Sequence, residues 1–439
     1  MSGEETRRRR WQTATAAALL VGYGGYYVCR SNLSVVAPQL LSEFGGAGID
    51  KTAMGLISSV GVLAYAAGKG VNGVTADLVG GRRMFLGGMI GSIAATLAFG
   101  AAGGLGAFVA LWGLNRFIQS MGWGALVKVA SHWYEPERYG RVMAVLSLGF
   151  LFGDAAGRFW LGWLVAHGAG WRMIFVAAAA TLGVIAAGCA LVLHESPHAV
   201  GLSEPPVSPR NVFDADGAAS RASSVGDVLT PYLRSPGFWL VCLVSLGLTL
   251  VREAFNAWIP TYLVEVYGLA QGDAAQKSSL FPLVGGVSVL CVGALSDRAR
   301  THRLACAIPL LAAGAVALVA IGSSAAMRSE TIGLVLLGTV AFLVIGPYSL
   351  LAGAIAVELG GRRGSATAAG LIDTAGYLGA VASGVLIGSL AQHQGWPAAF
   401  RLLSIVTALS AVACAACWFE RRSAEHRAVA GARRHVHAR

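Results

Sequence analysis

Long apolar segments constrain this chain more than any other feature of its sequence. A helix needs about 20 apolar residues to cross the hydrocarbon core of a bilayer. Only 13% of the 439 residues are charged, against roughly 25% in a soluble domain, so the chain lacks the charge to cover a water-exposed surface. The sequence therefore predicts an all-α membrane protein with twelve transmembrane helices, near residues 13–41, 52–77, 83–102, 105–132, 141–167, 172–193, 237–264, 276–296, 304–326, 331–357, 366–391 and 396–418.

Basic residues alternate in number from one loop to the next. With the N-terminus inside, 22 of the 33 Lys and Arg residues lie in cytoplasmic segments, five lie outside, and six lie within helices. This is the positive-inside pattern, which predicts a plasma-membrane protein, such as one of the bacterial inner membrane, with both termini cytoplasmic. It also explains the net charge of +11 without a nucleic-acid partner. The first segment is too long for a signal peptide, so we expect an uncleaved helix.

A polar segment near the middle of the chain divides the helices into two sets of six. Residues 195–236 are rich in Pro, Ser, Asp and Arg and show no helical apolar period, which is typical of a linker. We therefore expect an N-terminal six-helix bundle at 1–194, this cytoplasmic linker, a C-terminal six-helix bundle at 237–420, and a basic cytoplasmic tail at 421–439.

The two halves share features at nearly constant spacing. Asp77 ends a Gly-x-x-x-Asp motif after the second segment, and Asp297 ends the same motif after the eighth, 220 positions later. Arg30 in the first segment and Arg252 in the seventh are 222 positions apart. Such a repeat predicts two pseudo-symmetric bundles with the substrate bound near mid-membrane between them.

The residues of the two loop motifs are candidate gating residues. An aspartate at a helix end can accept hydrogen bonds from arginines and from helix N-terminal amides, and such a latch would favour one access state. The candidates are Asp77, Arg82 and Arg83 in the first half and Asp297 and Arg298 in the second.

Ionisable residues inside the helices are functional candidates because each costs at least about 2.5 kcal/mol at the bilayer centre. Six cations against three anions predict an electropositive cavity that binds an anion. Arg30 and Arg252 form the strongest pair, since the planar donor fork of arginine matches phosphate oxygens. Neutralisation of Arg252 by Glu253 is not expected, because adjacent helix positions point apart. The cations are Arg30, Lys69, Arg116, Lys128, Arg158 and Arg252, and the anions are Asp154, Glu253 and Asp373.

The remaining candidates have weaker arguments. Lys69 is expected either to assist substrate binding or to extend its side chain toward the cytoplasm. Lys128 is expected to extend its side chain toward the cytoplasm. Asp154 and Arg158, four positions apart, are expected to form an intrahelical pair. Asp373 either carries a proton or forms a salt bridge with a helix cation. The substrate-binding candidates also include Tyr26 and Tyr27, and the possible cavity or coupling residues are Arg116, Asp154, Arg158, Asp373 and Tyr377.

Five stretches in both halves carry a resemblance to a known family: GGYYVCRSNLSVVAPQL, NRFIQSMGWGALVKVASHWYEPERYG, ESPHAVGL, REAFNAWIPTYLVEVYG and GPYSLLAGAIAVELGGRRGSATAAGLIDTAGYLGA. The chain resembles the organophosphate:phosphate antiporters of the major facilitator superfamily, which include glycerol-3-phosphate, hexose-phosphate and glucose-6-phosphate transporters. The resemblance implies exchange of an organic phosphate for inorganic phosphate by rocker-switch alternating access. It also implies that Arg30 and Arg252 hold the phosphate and that Lys69 assists.

The chain departs from this family at several places, and the pair of Asp154 and Arg158 is one of them. The helix-five histidine of the glycerol-3-phosphate branch corresponds to Gly149, and the Gly-Trp-Pro of helix four is Gly122-Trp123-Gly124. Arg116 resembles the helix-four arginine of proton-coupled major facilitators. A proton-coupled carrier of another organic anion, such as a carboxylate or phosphonate, and a transporter-like sensor of organic phosphates therefore stay open as alternatives.

Nothing in the sequence indicates an enzyme. No phosphate-loop motif, zinc-type His cluster or nucleophile elbow occurs in it, and the seven scattered cysteines have no metal-site or disulfide spacing. We therefore expect no cofactor and no metal. The expected partners are an organic phosphate, inorganic phosphate and the lipid bilayer, and the chain is expected to be a monomer.

Overall fold

The computed structural model describes residues 3–47, 49–213, 222–298 and 303–437, and most of this part of the chain is helical. Seven helices precede the linker. They are α1 (Gly3–Phe44), α2 (Lys51–Val79), α3 (Gly81–Ala101), α4 (Leu105–Gln119), α5 (Met121–Trp133), α6 (Tyr139–Ala166) and α7 (Trp171–Val192).

Nine further helices follow. They are α8 (Val225–Leu233), α9 (Pro236–Tyr267), α10 (Gln271–Ser278), α11 (Leu280–Arg298), α12 (Arg303–Ile321), α13 (Ser324–Arg328), α14 (Glu330–Leu350), α15 (Ala356–Gln394) and α16 (Trp396–His437). A π-helical turn, Leu351–Ile355, joins α14 to α15.

The twelve predicted membrane helices are confirmed by this helical architecture. Nine stretches of the described residues are long and apolar enough to cross a membrane, and one of them, 330–394, contains both α14 and α15. The helix α1 is not among these stretches, and the fourth predicted segment is divided at Ser120 into α4 and α5. Large apolar side chains on the helices remain exposed, for example Phe159 and Leu191 at 80% and 82%, as expected for surfaces that face lipid.

The chain forms two compact units, one made of 1–231 with 352–374 and the other of 232–351 with 375–439. Equivalent helix pairs pack together inside each unit: α2 with α4, α3 with α7 and α1 with α7 in the first, and α11 with α14, α12 with α16 and α9 with α16 in the second. Pro38 inside α1 and Pro260 inside α9 are 222 positions apart, the same spacing as Arg30 and Arg252. The repeat seen in the sequence is therefore also a repeat of helix packing. The division at the linker into bundles 1–194 and 237–420 stays a prediction.

Three polar intervals of the described chain are helical. The linker contains the helix α8 and a 3-10 turn at Pro197–Val200. The interval 358–365, which lies between two predicted membrane segments, is helical apart from Gly361, whose φ of 53° and ψ of −146° interrupt α15. The basic tail continues the helix α16 through His437. Hydropathy gives no signal in such polar intervals.

Glycines allow two helix contacts that matter below. A Cβ on Gly370 would lie 2.2 Å from the carbonyl oxygen of Lys69, and a Cβ on Gly73 would lie 2.6 Å from that of Ala366. Because no side chain fits at either position, α2 packs directly against the backbone of 366–374 in the first unit. This close approach brings Lys69 next to Asp373.

Candidate functional site

The first unit contains a cluster of cations around one aromatic ring, here called the Tyr65 cluster (Arg30, Tyr65, Lys69, Arg116 and Asp373). Tyr65 is 2% exposed. The guanidinium carbons of Arg30 and Arg116 lie 4.3 and 4.5 Å from its ring centroid, and the Lys69 Nζ lies 5.0 Å from it. Cations within about 6 Å of an aromatic face are attracted to the negative face of the ring, so Tyr65 stabilises three positive charges at once.

Helical spacing and one salt bridge assemble this cluster. Tyr65 and Lys69 are four positions apart on α2, and Tyr27 and Arg30 are three apart on α1, so each pair shares a helix face. The Arg30 guanidinium carbon lies 4.7 Å from the Tyr27 ring. The Lys69 Nζ lies 2.7 Å from a carboxylate oxygen of Asp373. The prediction that Asp373 forms a salt bridge with a helix cation is confirmed, and Lys69 is buried instead of extending toward the membrane surface.

Arg116 is held by a buried polar network on α4. It is 6% exposed, and its Nη1 donates to the Oε1 of Gln119 at 3.2 Å. The Gln119 amide nitrogen in turn donates to the carbonyl oxygen of Cys29, the residue before Arg30, at 3.2 Å. Asn115 and Ser92 extend the network, because the Ser92 hydroxyl donates to the Asn115 amide oxygen at 2.8 Å. The orientation of Arg116 is therefore fixed relative to α1.

The second unit presents Arg252 in a separate aromatic and acidic setting. Its Nη1 donates to the Tyr348 hydroxyl at 2.9 Å, and its guanidinium carbon lies 4.5 Å from the Tyr348 ring. Its Nη2 contacts the Glu253 carboxylate. The expectation that neighbouring positions do not pair was wrong, because the long arginine side chain can turn back along the helix. Tyr377 also interacts electrostatically with Arg252.

The Nε atom of Arg252 is buried and has no hydrogen-bond partner within the described part of the chain. A buried donor without a partner costs about 1–3 kcal/mol. An acceptor that reached this atom would remove that cost. The guanidinium of Arg252 therefore keeps one donor suited to an anionic ligand.

The gating candidate Asp77 lies in a second charged site of the first unit, the Asp77 cluster (Asp77, Lys128, Arg362, Ala366 and Thr367). Its side chain is fully buried and accepts from the Thr367 amide at 2.7 Å and from the Ala366 amide at 3.4 Å. Lys128 Nζ lies 2.9 Å from the same carboxylate and also donates to the Arg362 carbonyl. Lys128 was wrongly expected to extend into the cytoplasm, and the basic partner of Asp77 is this lysine instead of an arginine.

The linker also contacts the start of α15, next to the Asp77 cluster. Glu204 lies 2.7 Å from Arg362 Nη1 and 3.4 Å from His132 Nδ1, and the Val212 amide donates to the Leu359 carbonyl at 2.8 Å. The contact with His132, followed by the positive charge of Arg362, lowers the pKa of Glu204 to about 2. The linker thus holds the start of α15 through a salt bridge and a main-chain hydrogen bond.

Arg82 and Glu195 cap two helix ends reciprocally. The Glu195 carboxylate accepts from the amides of Gly81 and Arg82 at the start of α3, both at 2.7 Å. The Arg82 side chain donates to the Leu193 and Ala190 carbonyls at the end of α7, at 2.5 and 2.9 Å. Opposite charges at these ends complement the two helix dipoles. Arg82 therefore joins α3 to α7, and within the described part of the chain it forms no hydrogen bond or ion pair with Asp77.

The other gating candidates differ between the halves. Asp297 pairs with Arg303 Nη1 at 2.7 Å, so an arginine supplies its hydrogen bond as expected. Arg303 begins α12 and is buried. Arg83 and Arg298 are exposed.

One further predicted pair and two predicted tyrosines have clear positions. Arg158 Nε lies 2.8 Å from Asp154, which confirms the intrahelical pair, and its Nη1 donates to Ser34 at 3.0 Å. Tyr26 is buried, and its hydroxyl donates to the Phe85 carbonyl at 2.5 Å. This hydroxyl therefore holds α1 against α3, and a substrate-binding role for Tyr26 stays a prediction. Tyr27 remains half-buried beside Arg30.

Sequence reasoning missed the aromatic residues that contact the cations, namely Tyr65 in the Tyr65 cluster and Tyr348 beside Arg252. Tyr65 carries no charge, although its position four residues before Lys69 is a usable signal. Tyr348 lies within a stretch that resembles the antiporters, but nothing in its neighbourhood indicates a contact with Arg252. The role of Glu195 depends on the meeting of α3 and α7, which no local pattern shows.

The profile of the Major Facilitator Superfamily matches residues 19–382 of this sequence. That range includes the Tyr65 cluster, the Asp77 cluster and Arg252. The chain belongs to the major facilitator superfamily. It is a multi-pass membrane protein of a transporter family and not an enzyme.

Relatives within this superfamily have names that refer to organic phosphates. A probable hexose phosphate transport protein of Chlamydia pneumoniae is 26% identical and covers 89% of this chain and 87% of the relative. The membrane sensor protein UhpC of Salmonella typhimurium is 28% identical, with 93% and 92% covered. A glycerol-3-phosphate transporter of Bacillus subtilis is 25% identical, with 95% of each covered.

Solved structures show the same fold. The human organic anion transporter MFSD10 superposes with a TM-score of 0.66 at 17% identity and covers 92% of this chain and 99% of that one. The fucose:proton symporter FucP of E. coli superposes with a TM-score of 0.66 at 14% identity, with 92% and 98% covered. The chain therefore has the major facilitator fold.

Proposed function

We propose that this protein is a secondary active transporter that exchanges a small organic phosphate ester for inorganic phosphate by rocker-switch alternating access. In this proposal Arg30 and Arg252 bind the phosphoryl group, and Lys69 and Tyr27 assist Arg30. Arg116, Asp154, Arg158, Asp373 and Tyr377 remain candidates for lining or coupling. The protein acts as a monomer, with both termini cytoplasmic, in a membrane such as the bacterial inner membrane.

The Tyr65 cluster is the observation that carries the proposal. Three cations and one aspartate around a buried ring give the cluster a formal charge of +2, which favours an anionic ligand. The partnerless Nε of Arg252 supports a second contact to the same kind of ligand. Arginine suits phosphate because its donor fork binds two oxygens at once. The names of the relatives point to the same chemical class.

The Asp77 cluster supports a gating role at one end of the first unit. Its buried ion pair and two amide hydrogen bonds hold the 362–367 segment of α15 against α2 and α5. In the proposed cycle these contacts form in one access state and break in the other. Arg82, Arg83, Asp297 and Arg298 are proposed to support this gate through the ends of their helices.

Counterflow tests the proposed exchange. Purified protein is reconstituted into proteoliposomes loaded with phosphate, and uptake of labelled phosphate and of labelled organic phosphates is measured. We expect uptake to require internal phosphate and to persist when the proton gradient is collapsed. Uptake that ignores internal phosphate but disappears with the proton gradient would instead identify a proton-coupled carrier of an organic anion such as a carboxylate or phosphonate.

Charge-preserving substitutions test the two arginines. Arg30→Lys and Arg252→Lys each keep the positive charge but lose the bidentate fork, so we expect phosphate exchange to fall by at least tenfold in each. Arg172→Lys is the matched control, because Arg172 lies at the start of α7 and pairs with Glu43 away from the cluster. Wild-type exchange in both cluster variants would exclude phosphate binding by these two residues.

A sensor of organic phosphates is the second candidate, because one relative is named a membrane sensor protein. A sensor would bind an organic phosphate but move little of it. Thermal stabilisation of the purified protein by phosphate esters, combined with absence of counterflow in the same preparation, would favour the sensor over the transporter.

A further inference from the structure

We infer that the contact between α5 and α15 is pH-sensitive, because protonation of His132 strengthens a bridge that runs through Glu204. This bridge, here called the Glu204 clasp (His132, Glu204 and Arg362), joins the linker to both helices inside the first unit. Its contacts involve no substrate. The inference rests on the proposed function only where it concerns the rate of exchange.

One carboxylate connects the two helices. The Oε1 atom of Glu204 lies 3.4 Å from the Nδ1 atom of His132, which is in the last turn of α5. Its Oε2 atom lies 2.7 Å from the Nη1 atom of Arg362 on α15. The three side chains are between 12% and 25% exposed, so water and salt screen these charges only in part. Because each oxygen contacts a different helix, a stronger contact on either side holds α5 and α15 together.

His132 is the member of the clasp whose charge changes near neutral pH. Glu204 stays ionised, because its pKa is lowered to about 2, and an arginine stays protonated. An imidazole gains its charge between about pH 8 and pH 5. The Nδ1 atom of His132 is buried and lacks a hydrogen-bond partner of normal geometry among the described residues. Protonation lets this atom donate to Glu204 in a charge-assisted hydrogen bond, which is roughly twice as strong as a neutral one.

The charged groups that flank the clasp have partners of their own. They are not histidines, so their charges stay constant over the range in which a histidine titrates. They are Lys128 and Glu135 on α5, which pair with Asp77 and Arg138, Arg363 on α15, which pairs with Asp227, and Arg8 on α1, which donates to Ser203 next to Glu204.

The sign of the effect follows from these contacts. The ionic contact between His132 and Glu204 is complete at acid pH and is lost as the pH rises and the imidazole loses its proton. The clasp acts on the same two helices as Lys128, which donates to the Arg362 carbonyl. Acid therefore favours the state in which the start of α15 is held against α5. In the proposed cycle this slows the separation of the two helices and hence exchange.

Hydrogen exchange at two pH values gives the first test. The Val212 amide donates to the Leu359 carbonyl, and the Thr367 amide donates to Asp77, so their protection reports how often the linker contact and the gate open. Protection is corrected for the intrinsic pH dependence of exchange. We expect it to be about threefold higher at about pH 5.5 than at about pH 7.5 in the wild type, as a partly exposed ion pair provides. Equal protection at the two pH values would overturn the inference.

Substitutions test whether His132 is responsible. In His132→Gln the ratio of the two protection values should fall to about one, whereas His132→Lys, charged at both pH values, should keep high protection at both. Glu204→Gln removes the other partner, should also abolish the ratio, and serves if the His132 variants do not fold. The matched controls His194→Gln and His198→Gln remove the two other histidines between α7 and α8 and should keep the ratio. A wild-type ratio in His132→Gln or in Glu204→Gln would refute the assignment.

Counterflow separates the clasp from the proposed function. The rate of phosphate exchange at about pH 5.5 relative to about pH 7.5 is compared between the wild type and His132→Gln, which cancels the titration of phosphate itself. We expect acid to slow the wild type about threefold more than the variant. Equal slowing would refute the effect on exchange. Absence of counterflow together with pH-dependent protection would refute the exchange function and leave the clasp standing.

Discussion

Removal of the Lys128 ammonium tests the energetic role of the Asp77 cluster. The Asp77 side chain is fully buried and that of Lys128 is 5% exposed. Lys128→Met fills the space of the lysine stem but leaves the carboxylate buried without its basic partner. Breaking a buried ion pair from one side costs about 3–5 kcal/mol. Each 1.4 kcal/mol is about a tenfold change in an equilibrium constant. The equilibrium constant for opening this contact should therefore increase by a factor of roughly 100 to 3,000.

Hydrogen exchange at the cluster measures this change directly. The Ala366 and Thr367 amides donate to Asp77, so their exchange reports how often the contact opens. We expect their protection to fall at least 100-fold in Lys128→Met. The double variant Asp77→Asn with Lys128→Met contains neither charge, and it should regain most of this protection because an asparagine oxygen still accepts from the Thr367 amide.

Two results would refute this reasoning. Wild-type protection of these amides in Lys128→Met would show that the ion pair contributes nothing to holding the segment. The free energy of protection lost in the double variant could also equal the sum of the free energies lost in Asp77→Asn and Lys128→Met. That result would show that the two residues act independently.

Three further predictions concern packing, charge and pH. Gly370→Ala brings a Cβ within 2.2 Å of the Lys69 carbonyl oxygen, so we expect about 1–3 kcal/mol or more of destabilisation, measured as a lower melting temperature. Asp373→Asn removes the carboxylate 2.7 Å from Lys69, which should tighten phosphate binding several-fold in a competition assay. The pKa of Glu204 is lowered from its ordinary value of 4.5 to about 2. Its contribution to stability is therefore complete above pH 4.5 and is lost as the pH falls toward 2. Glu204→Gln should show a smaller loss of melting temperature between about pH 5 and pH 3 than the wild type.

Each of these predictions has a matched control. Gly384→Ala, on the same helix, adds its Cβ where no atom lies within 4 Å and should leave the melting temperature unchanged. Glu43→Gln removes a carboxylate from a salt bridge with Arg172 outside the cluster and should not alter phosphate binding. Glu5→Gln, at an exposed pair, should keep the wild-type pH dependence. Equal effects in test and control variants would contradict the corresponding explanation.

Hydropathy and repeat spacing predicted the fold well because both depend on periodic, short-range features. Twelve apolar segments and the spacing of Arg30 and Arg252 follow from the need to cross lipid and from a duplicated helix pattern. The exceptions are instructive: the helix over 358–365 and the helix α8 lie where the chain is polar, so hydropathy gives no signal there.

The site was predicted only in part, because partners of buried charges come from distant parts of the chain. Asp373 and Lys69 were both candidates, but their pairing depends on a contact between residues some 300 positions apart. For Lys128 the distance from the helix end is the only guide in the sequence, and it predicts a side chain at the membrane surface. Tyr65 gives no signal, because an uncharged aromatic residue in a membrane helix is more often a packing residue.

The glycine contact between α2 and 366–374 has a mechanical consequence. Helices that interlock through side chains resist sliding, since each projecting group must leave its hole or change rotamer before the register shifts. At Gly73 and Gly370 the two helices meet through main-chain atoms, which form a comparatively smooth surface. Such a surface allows the two helices to slide along each other or to separate with few barriers from side chains. The charged groups at its ends then provide most of the interaction that holds the helices together.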